Sequence, residues 1–239
     1  MKIAIMQPYF FPYIGYIGLI KHTDEFMLFD PVQFIRHGWI DRNRILKQTG
    51  GWQYISVPLQ KHSQTTKIQD ILIDNNQKWQ NKLLAQLQHY KKRAPFYKQT
   101  IEVIQRGFLS KTDSITKLNY NTLQAVCEYL SIPFKCSIFS EKNLALEPVY
   151  APDEWALNIC KSLGYQEYWN PPGGQEFFDA LKYKNAGIKL VFMKPTLTPY
   201  SQRKIDGTFE EGLSIIDVMM FNSPEQINQM LDKYELIVP

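Results

Sequence analysis

The residues best suited to chemistry stand near the start of the chain, between Gln7 and Tyr16. This segment combines the primary amide of Gln7 with the aromatic hydroxyls of Tyr9, Tyr13 and Tyr16. Amides and phenols form hydrogen bonds without carrying charge, and aromatic rings offer flat faces for stacking. The segment therefore suits a polar small molecule such as a sugar or nucleobase. The alternative is that these tyrosines only pack in the core.

A second group lies between Asp30 and Arg44. Asp30 follows an apolar run, where a carboxylate either caps a turn or faces a ligand. If residues 39–45 are extended, Arg42 and Arg44 lie on one face, and two guanidinium groups there match a diphosphate. In a helix they would diverge, and a surface salt-bridge cluster is the alternative. His37 is a candidate general base, although a single loop histidine is more often structural.

A third group surrounds a Pro-Pro-Gly-Gly turn after Tyr168 and Asn170. Gly173 and Gly174 would let the backbone approach a ligand closely, because glycine has no Cβ. A helix predicted to begin after this turn would offer free N–H groups to an anion. A plain strand-to-helix connection is the alternative.

A fourth group combines Gln202, Ser214 and Asp217. Ser214 is placed to cap a helix, whereas Asp217 lies in an otherwise apolar turn. A carboxylate in that position requires a partner such as Arg42 or a ligand amine. Alternatively, Ser214 and Asp217 form a variant of the capping box.

Several common sites are absent from the sequence. It contains no Walker loop, no Gly-x-Gly-x-x-Gly fingerprint, no Gly-x-Ser-x-Gly elbow and no cysteine–histidine nucleophilic pair. The four histidines lack metal-ligand spacing, so we expect no metal site. The three cysteines follow neither a zinc pattern nor a disulfide framework, which fits a reducing compartment.

Alternating apolar patterns must position these groups. Predicted strands span residues 2–6, 25–29, 52–57, 68–73, 134–139, 167–169 and 188–192. Predicted helices at the two ends span residues 13–22, 152–163 and 175–184. This alternation favours βαβ units, and the sequence therefore predicts an α/β fold with a mostly parallel central sheet flanked by helices. Ligands of such sheets bind at the carboxyl ends of the strands.

The middle of the chain is predicted to be helical. Apolar residues recur at helical spacing over 79–90, 101–108 and 115–130, and Thr112 or Asp113 is placed to cap the third helix. We expect one α/β domain over 1–239 with a helical insertion at about 76–131. The cluster Lys91-Lys92-Arg93 in this insertion is interpreted as a solvated helix end.

Charge and hydropathy limit the function classes. The net charge of +4 is less than nucleic-acid binders usually carry, so we expect no DNA partner. Two prolines and Gln7 interrupt the first apolar region, which argues against a secretory signal, and the region is too short to span a membrane. We therefore expect a soluble, cytoplasmic protein without a membrane span.

Taken together, four motifs resemble the WbqC-like protein family. They are residues 5–16, Gly38-Trp39-Ile40-Asp41-Arg42-Asn43-Arg44, Tyr168-Trp169-Asn170-Pro171-Pro172-Gly173-Gly174 and Leu213-Ser214-Ile215-Ile216-Asp217. One departure is visible, because Asp30-Pro31-Val32-Gln33 stands where the family often has two consecutive acidic residues. If the second carboxylate were the base, this chain would lack it. The segment Tyr13-Ile14-Gly15-Tyr16 also falls where HIGH-type nucleotidyltransferases place His-x-Gly-His, which suggests a nucleotidyltransferase/HUP-like core but argues against adenylyl transfer.

The resemblance implies a function in bacterial surface-polysaccharide synthesis, O-antigen especially. It implies transfer of a glycyl or related aminoacyl group to the amine of a nucleotide-linked amino sugar. No bound cofactor is expected, and the donor is left open among a carrier-protein thioester, coenzyme A and an aminoacyl-tRNA. An acyl carrier protein is thus a candidate partner. The alternatives are a nucleotide-binding enzyme that adenylates an amino acid, and a non-catalytic scaffold for a sugar-modifying enzyme.

The residues in these motifs divide by chemistry into two candidate sets. A carboxylate would take the ammonium proton, an amide would donate to the oxyanion, arginines would hold the diphosphate and tyrosines would stack on the sugar or base. The candidate catalytic residues are Asp30, His37, Asn43 and Asp217. The candidate substrate-binding residues are Gln7, Tyr9, Tyr16, Gln33, Arg42, Arg44, Tyr168, Asn170, Gly173, Gly174, Gln202 and Ser214.

Overall fold

Apolar runs from both ends of the chain form the central sheet. A computed structural model describes residues 1–202 and 207–239, and within these ranges six strands hydrogen-bond into one sheet. The strands of the chain are β1 (Lys2–Met6), β2 (Glu25–Leu28), β3 (Arg42–Leu46), β4 (Trp52–Ser56), β5 (Cys136–Ile138), β6 (Glu167–Asn170), β7 (Lys189–Pro195) and β8 (Tyr234–Ile237). The sheet order is β5-β2-β1-β6-β7-β8, and every pair is parallel except β7 with β8. The predicted α/β class and mostly parallel sheet are therefore confirmed.

Helices cover both faces of this sheet. They are α1 (Ile14–His22), α2 (Trp79–Gln86), α3 (Tyr97–Gly107), α4 (Ile115–Tyr129), α5 (Glu154–Leu163), α6 (Ala180–Asn185), α7 (Ile215–Phe221) and α8 (Pro224–Leu231), with short 3₁₀ helices at Ile68–Asp70, Gln88–Lys92, Phe139–Glu141 and Pro172–Phe177. One face packs against α1, α7 and α8, and the other packs against α5 and α6. Both faces of β1 are thus covered, which explains its continuous apolar run.

The sheet has a topological switch point between β1 and β6, where the chain connections diverge to opposite sides. From β1 the chain proceeds through α1 to β2 on one side, and the later strands β6 and β7 lie on the other side. A switch point of this kind leaves a crevice at the carboxyl ends of the two strands, because the connecting segments diverge there. Residues that follow Met6 and Asn170 therefore face the crevice.

Strands β3 and β4 form a separate antiparallel hairpin. Helices α2, α3 and α4 follow it in sequence before β5, and α2 contacts β4 while α7 contacts β3. The predicted helical middle is thus present. Residues 42–46 are therefore extended rather than helical, which is the condition under which Arg42 and Arg44 share a face.

Two predicted elements are wrong. Residues 68–73 do not form a strand: Ile68–Asp70 is a 3₁₀ turn, and the segment makes isolated bridges at Leu72 and Ile73. Ile68, Ile71 and Ile73 are buried, so the spacing that suggested alternation reflects an irregular segment lying against the core. Residues 175–184 are not one helix, because Asp179 caps a new helix at Leu181 N–H and separates α6 from the 3₁₀ helix Pro172–Phe177.

The predicted cap of α4 is displaced by one residue. Ser114, rather than Thr112 or Asp113, is the N-cap, and its hydroxyl accepts from Lys117 N–H. Thr112 accepts from Ser114 N–H instead. In the described ranges no helix is long and apolar enough to cross a membrane.

Candidate functional site

Buried side chains from distant parts of the chain hold the turn that follows β1. The Asn43 amide donates to the carbonyl oxygens of Phe10 and Phe11, each at 3.0 Å, and its own oxygen accepts from Arg44 N–H at 2.8 Å. The Ser214 hydroxyl donates to the Phe11 carbonyl at 2.7 Å. Phe11 has a φ of +39°, a backbone conformation that residues other than glycine rarely adopt, and these bonds stabilise it.

Tyr16 holds the same turn from the interior of the protein. It is fully buried, and its hydroxyl donates to the Gln7 carbonyl at 2.8 Å. Burial raises the pKa of Tyr16 well above its ordinary value. Tyr16 and Ser214 therefore lie beneath the turn, and Ser214 also caps α7 by accepting from Ile216 N–H.

The turn borders a cleft with two compartments. The larger has a volume of about 840 Å³ and the smaller about 470 Å³, and both are lined by Met6, Tyr9, Asn170 and Gly174. These four residues follow or end β1 and β6, so the junction of the compartments lies at the crevice between those strands. The location matches the expectation for a doubly wound sheet.

Aromatic side chains form the walls of the larger cavity, called here the aromatic compartment. Phe29 and Trp155 lie with ring centroids 5.3 Å apart on one side, and Tyr168 and Phe178 lie 5.5 Å apart on the other. Its rim carries exposed large side chains, with Ile35 at 61%, Tyr150 at 86% and Phe177 at 54% relative exposure. Exposed apolar side chains gathered around one cavity are a feature that ligand-binding surfaces share.

Neutral polar groups complete the aromatic compartment. The Asn170 amide donates to the Tyr168 hydroxyl, whose pKa is raised by burial. Gln33 lines the compartment while its amide donates to the Gln64 carbonyl at 2.7 Å. The Gln7 carboxamide also lines it and has no hydrogen-bond partner among the described residues. Gln7 is therefore available to a ligand.

Arg44 gives the smaller cavity its charge, and we call this cavity the arginine compartment. The guanidinium lies between the indole rings of Trp39 and Trp52, 5.3 and 5.2 Å from their centroids. It donates to the Gly212 carbonyl at 3.3 Å, but no carboxylate in the described ranges pairs with it. A cation fixed by two rings and free of a counter-charge suits an anionic ligand.

Two tyrosines line the arginine compartment beside this cation. Burial raises the pKa of Tyr9 and of Tyr13, and for Tyr13 the neighbouring Tyr9 adds to the effect. Both phenols are therefore neutral donors near pH 7. Neither hydroxyl has a hydrogen-bond partner among residues 1–202 and 207–239.

Arg42 and His37 lie outside the cleft. The extended β3 strand places Arg42 and Arg44 on one face, as the sequence suggested. Arg42, however, stacks on Tyr54 at 4.2 Å and donates to the carbonyls of His37 and Gly38. His37 is exposed with a φ of +67° and lines neither compartment.

Asp30 also lies off the cleft surface. It is buried, and its carboxylate accepts from Ser140 N–H at 3.1 Å and from the Ser140 hydroxyl at 2.7 Å. Burial raises the pKa of Asp30, and the bonds from Ser140 oppose that shift. The carboxylate therefore ties the segment after β2 to the segment after β5.

Asp217 lies in a buried cluster of its own. The side chain is 0% exposed and accepts hydrogen bonds from the hydroxyls of Tyr90 and Tyr200, both at 2.6 Å, and from the Gln202 amide at 3.1 Å. Arg42, the partner suggested by sequence, is not among these groups. Asp217, Tyr90, Tyr200 and Gln202 form the Asp217 cluster, which lines neither compartment.

The paired glycines do line the cleft, in the first turn of the 3₁₀ helix Pro172–Phe177 rather than before the predicted helix 175–184. The predicted helix is wrong, and the anion site expected beside it stays a prediction. A Cβ on Gly174 would lie 3.2 Å from the Phe178 ring and 3.6 Å from the Asn170 amide oxygen. Gly174 thus permits close packing at the junction, while Gly173 borders the arginine compartment.

Sequence reasoning missed several residues of the cleft. Phe29, Tyr150 and Trp155 line the aromatic compartment but are not among the candidate residues, and Trp39 enters the sequence analysis only as part of a motif. Trp39, close in sequence to the Arg42-Asn43-Arg44 segment, could have indicated an arginine-binding ring, because indoles often stack on arginine side chains. Apart from Arg44, the described lining has no charged side chain, and no group of residues in the described ranges has the composition of a metal site.

Comparison with known proteins gives a family match and a distant relative. Residues 7–229 match the WbqC-like protein family, a range that contains the cleft residues after β1 and those of β6, whereas Met6 of β1 lies just before it. The uncharacterised protein Rv1507c of Mycobacterium tuberculosis is 29% identical over 224 residues, which cover 92% of this chain and 93% of the relative. No solved structure gives a significant match.

Proposed function

The chain belongs to the WbqC-like protein family, and on that premise we propose that it transfers an aminoacyl group, such as glycyl, to the amine of a nucleotide-linked amino sugar. The reaction would serve bacterial surface-polysaccharide synthesis, O-antigen in particular, in the cytoplasm. One observation supports this proposal above others: an aromatic and an arginine compartment meet at the crevice between β1 and β6. A nucleotide-linked sugar has the matching parts, a ring system and an anionic linker.

The two compartments suggest how the acceptor binds. The nucleoside would occupy the aromatic compartment, whose rim side chains Tyr150 and Phe177 are exposed and able to stack. The diphosphate would lie at the junction within reach of Arg44, with the hydroxyls of Tyr9 and Tyr13 as additional donors. The amino sugar would then enter the arginine compartment.

Transfer requires a neutral amine and a polarised carbonyl. The amine nitrogen forms the amide bond, the bond from the acyl carbon to the donor breaks, and the amine proton ends on the departing atom of the donor. Gln7 lines only the aromatic compartment and the Asn43 amide already holds the turn, so one of the two tyrosine hydroxyls of the arginine compartment would donate to the oxyanion instead. We assign no general base, since Asp30 and Asp217 lie off the cleft and the described lining holds no carboxylate or histidine.

The proposal is tested by binding and by product formation. Diphosphate-linked amino sugars should raise the melting temperature of the purified protein, since a ligand at 100 times its Kd adds about 2.7 kcal/mol. Arg44→Gln should weaken this binding roughly tenfold or more, because it removes a charge-assisted contact. Arg106→Gln is the matched control, since Arg106 is exposed and pairs only loosely with Glu128 at 3.5 Å.

The outcomes separate the alternatives. Equal binding by the Arg44→Gln and Arg106→Gln variants would contradict the assignment of Arg44. A response to ATP alone, with pyrophosphate released in the presence of an amino acid, would indicate the amino-acid-activating enzyme. No response to any nucleotide, together with no amide product by mass spectrometry, would indicate the scaffold.

A further inference from the structure

The outer face of the β3–β4 hairpin combines aromatic rings and arginine. Arg44 and Tyr54 are paired across the two strands, Leu46 is paired with Trp52, and side chains two residues apart share a face. Arg42 lies over the Tyr54 ring at 4.2 Å, and the rings of Trp52 and Tyr54 are 5.0 Å apart. We call Arg42, Trp52 and Tyr54 the stacking face.

The stacking face is open and continuous with the cleft. Trp52 is 39% exposed, although an indole normally finds cover in a folded protein. The same indole flanks Arg44, which lines the arginine compartment. No carboxylate pairs with Arg42 in the part of the chain that the structure describes. The face therefore offers rings and a cation that forms no direct ion pair at the entrance to the cleft, with the Asp41 carboxyl the acidic group that interacts with Arg42 at longer range.

A basic groove lies beside the end of the same hairpin. It has a volume of about 690 Å³ between residues 47–53 and the 3₁₀ helix Gln88–Lys92. Its lining includes Lys47, Lys91, Lys92 and Arg93, and contains no aspartate or glutamate. Lys47 directly follows β3, and Gln53, which also lines the groove, lies on the face of β4 opposite Trp52 and Tyr54, so the groove is reached from the stacking face around the end of the hairpin. The groove thus gives Lys91-Lys92-Arg93 a context that the sequence alone did not show.

We propose that the acyl donor is an aminoacyl-tRNA, whose unpaired 3′ end lies on the stacking face while its stem phosphates lie at the basic groove. This inference rests on the proposed function. Unpaired nucleotides are recognised by stacking on aromatic rings and arginine planes, and duplex backbones by lysine and arginine. An acidic carrier protein would use the groove but would leave the exposed Trp52 unexplained. The modest net charge is compatible with this assignment because these cations are gathered on one hairpin and its neighbour.

The transfer balances with this donor. The sugar amine attacks the ester carbonyl of the aminoacyl-tRNA, the carbon–nitrogen bond forms and the bond to the ribose oxygen breaks. The amine proton passes to that oxygen, which leaves as the free hydroxyl of the tRNA. No oxidant, nucleoside triphosphate or further co-reactant is consumed.

Binding of two RNA hairpins tests the proposal on the full-length protein. One hairpin ends in an unpaired 3′ ACCA and its twin is blunt. We expect the overhang to bind tighter, and Trp52→Ala to weaken that complex about tenfold, within the range for losing one stacked base. Lys91→Gln/Lys92→Gln should weaken both RNAs and lower the salt slope by about 2. Lys184→Gln/Lys189→Gln, two exposed lysines elsewhere, is the charge-matched control and should change neither.

Several results would overturn the inference. These are equal binding of overhang and blunt RNA, an overhang preference that survives Trp52→Ala, and product formation from a carrier thioester or acyl-coenzyme A but not from glycyl-tRNA. If a nucleotide-linked amino sugar binds and the RNA does not, the proposed function stands with another donor. If the RNA binds and no amino sugar does, this donor site stands and the proposed acceptor fails.

Discussion

The cleft and the Asp217 cluster use similar residue types but in opposite ways. In the Asp217 cluster, two tyrosine hydroxyls and an amide all donate to one buried carboxylate. In the cleft, the hydroxyls of Tyr9 and Tyr13 and the amide of Gln7 face open cavities without partners among the described residues. Both sets are polar groups inside apolar sequence, so sequence alone could not separate them.

The difference shows what to ask of a polar residue in an apolar run. Buried polar groups must be paired, and a paired group stabilises the fold. A polar group that lines a cavity without a partner is available to a ligand instead. By this criterion Asn43, Ser214, Tyr16 and Asp30 belong with the Asp217 cluster, because they bond within the protein.

Replacing the carboxylate of Asp217 is expected to have the largest effect. Asp217→Asn leaves the Tyr90, Tyr200 and Gln202 donors competing for one amide oxygen, and we expect about 3 kcal/mol loss of unfolding free energy, since buried groups left unsatisfied cost heavily. Urea denaturation measures this loss. Asp70→Asn, an exposed aspartate, is the matched control and should stay close to the original protein.

The same variant also tests whether the cluster has a catalytic role. Asp217 is a candidate base by sequence, whereas its position in the structure predicts an effect through stability. At a temperature where Asp217→Asn remains folded, we expect both nucleotide-sugar affinity and transfer to stay within a few-fold of the original. Loss of transfer by a fully folded variant would contradict the division between the two regions.

Two tyrosine-to-phenylalanine changes test the difference between the two regions directly, because they remove the same atom from each. Tyr90→Phe deletes a hydroxyl that donates to Asp217 at 2.6 Å and accepts from Leu46 N–H at 2.9 Å, so stability should fall by about 2 kcal/mol. Tyr9→Phe should change stability by less than about 0.5 kcal/mol. It should instead weaken nucleotide-sugar binding several-fold, as measured by calorimetry. Equal stability losses would show that Tyr9 is structural too.

The strands and their order of appearance were largely predictable from sequence. The runs that became β1, β2, β6 and β7 are apolar because both faces of a central parallel strand are covered. Residues 68–73 do not form the predicted strand, because the buried residues at 68, 71 and 73 resemble strand alternation without forming a ladder. Strand β8 and helix α8 gave no signal that was recognised, although Ser223 and Gln226 form a capping box.

The cleft was predictable only in part. Gln7, Tyr9 and Asn170 follow or end predicted strands, and a parallel sheet brings such positions to one edge. Tyr90 could not be assigned to Asp217 because 127 residues separate them. Trp155 and Phe29 could not be assigned to one wall either, since their contact depends on how α5 packs beside β2. Long-range packing thus decided which candidates face the cavity.

The smallest expected effect concerns the rim of the aromatic compartment. Glu154 accepts from Tyr150 N–H at 2.7 Å, from Ala151 N–H at 3.1 Å and from Lys182 Nζ at 2.9 Å. The bond from Lys182, then those from the two backbone groups, lower the pKa of Glu154 to about 2. The carboxylate therefore fastens the segment that carries Tyr150 to the start of α5 and to Lys182 of α6.

This pKa shift has a defined sign. Because the folded-state pKa lies below the ordinary value of 4.5, the contribution of Glu154 to stability is present above about pH 4.5 and is lost as pH falls toward 2. The difference in melting temperature between the original protein and Glu154→Gln should thus be constant near neutral pH and shrink on acidification. Amide exchange at Tyr150 and Ala151 should be faster in the variant at pH 7, whereas Glu102→Gln, an exposed glutamate of α3, should leave it unchanged. A difference in melting temperature that grows on acidification would show that the Glu154 carboxylate does not hold the segment that carries Tyr150.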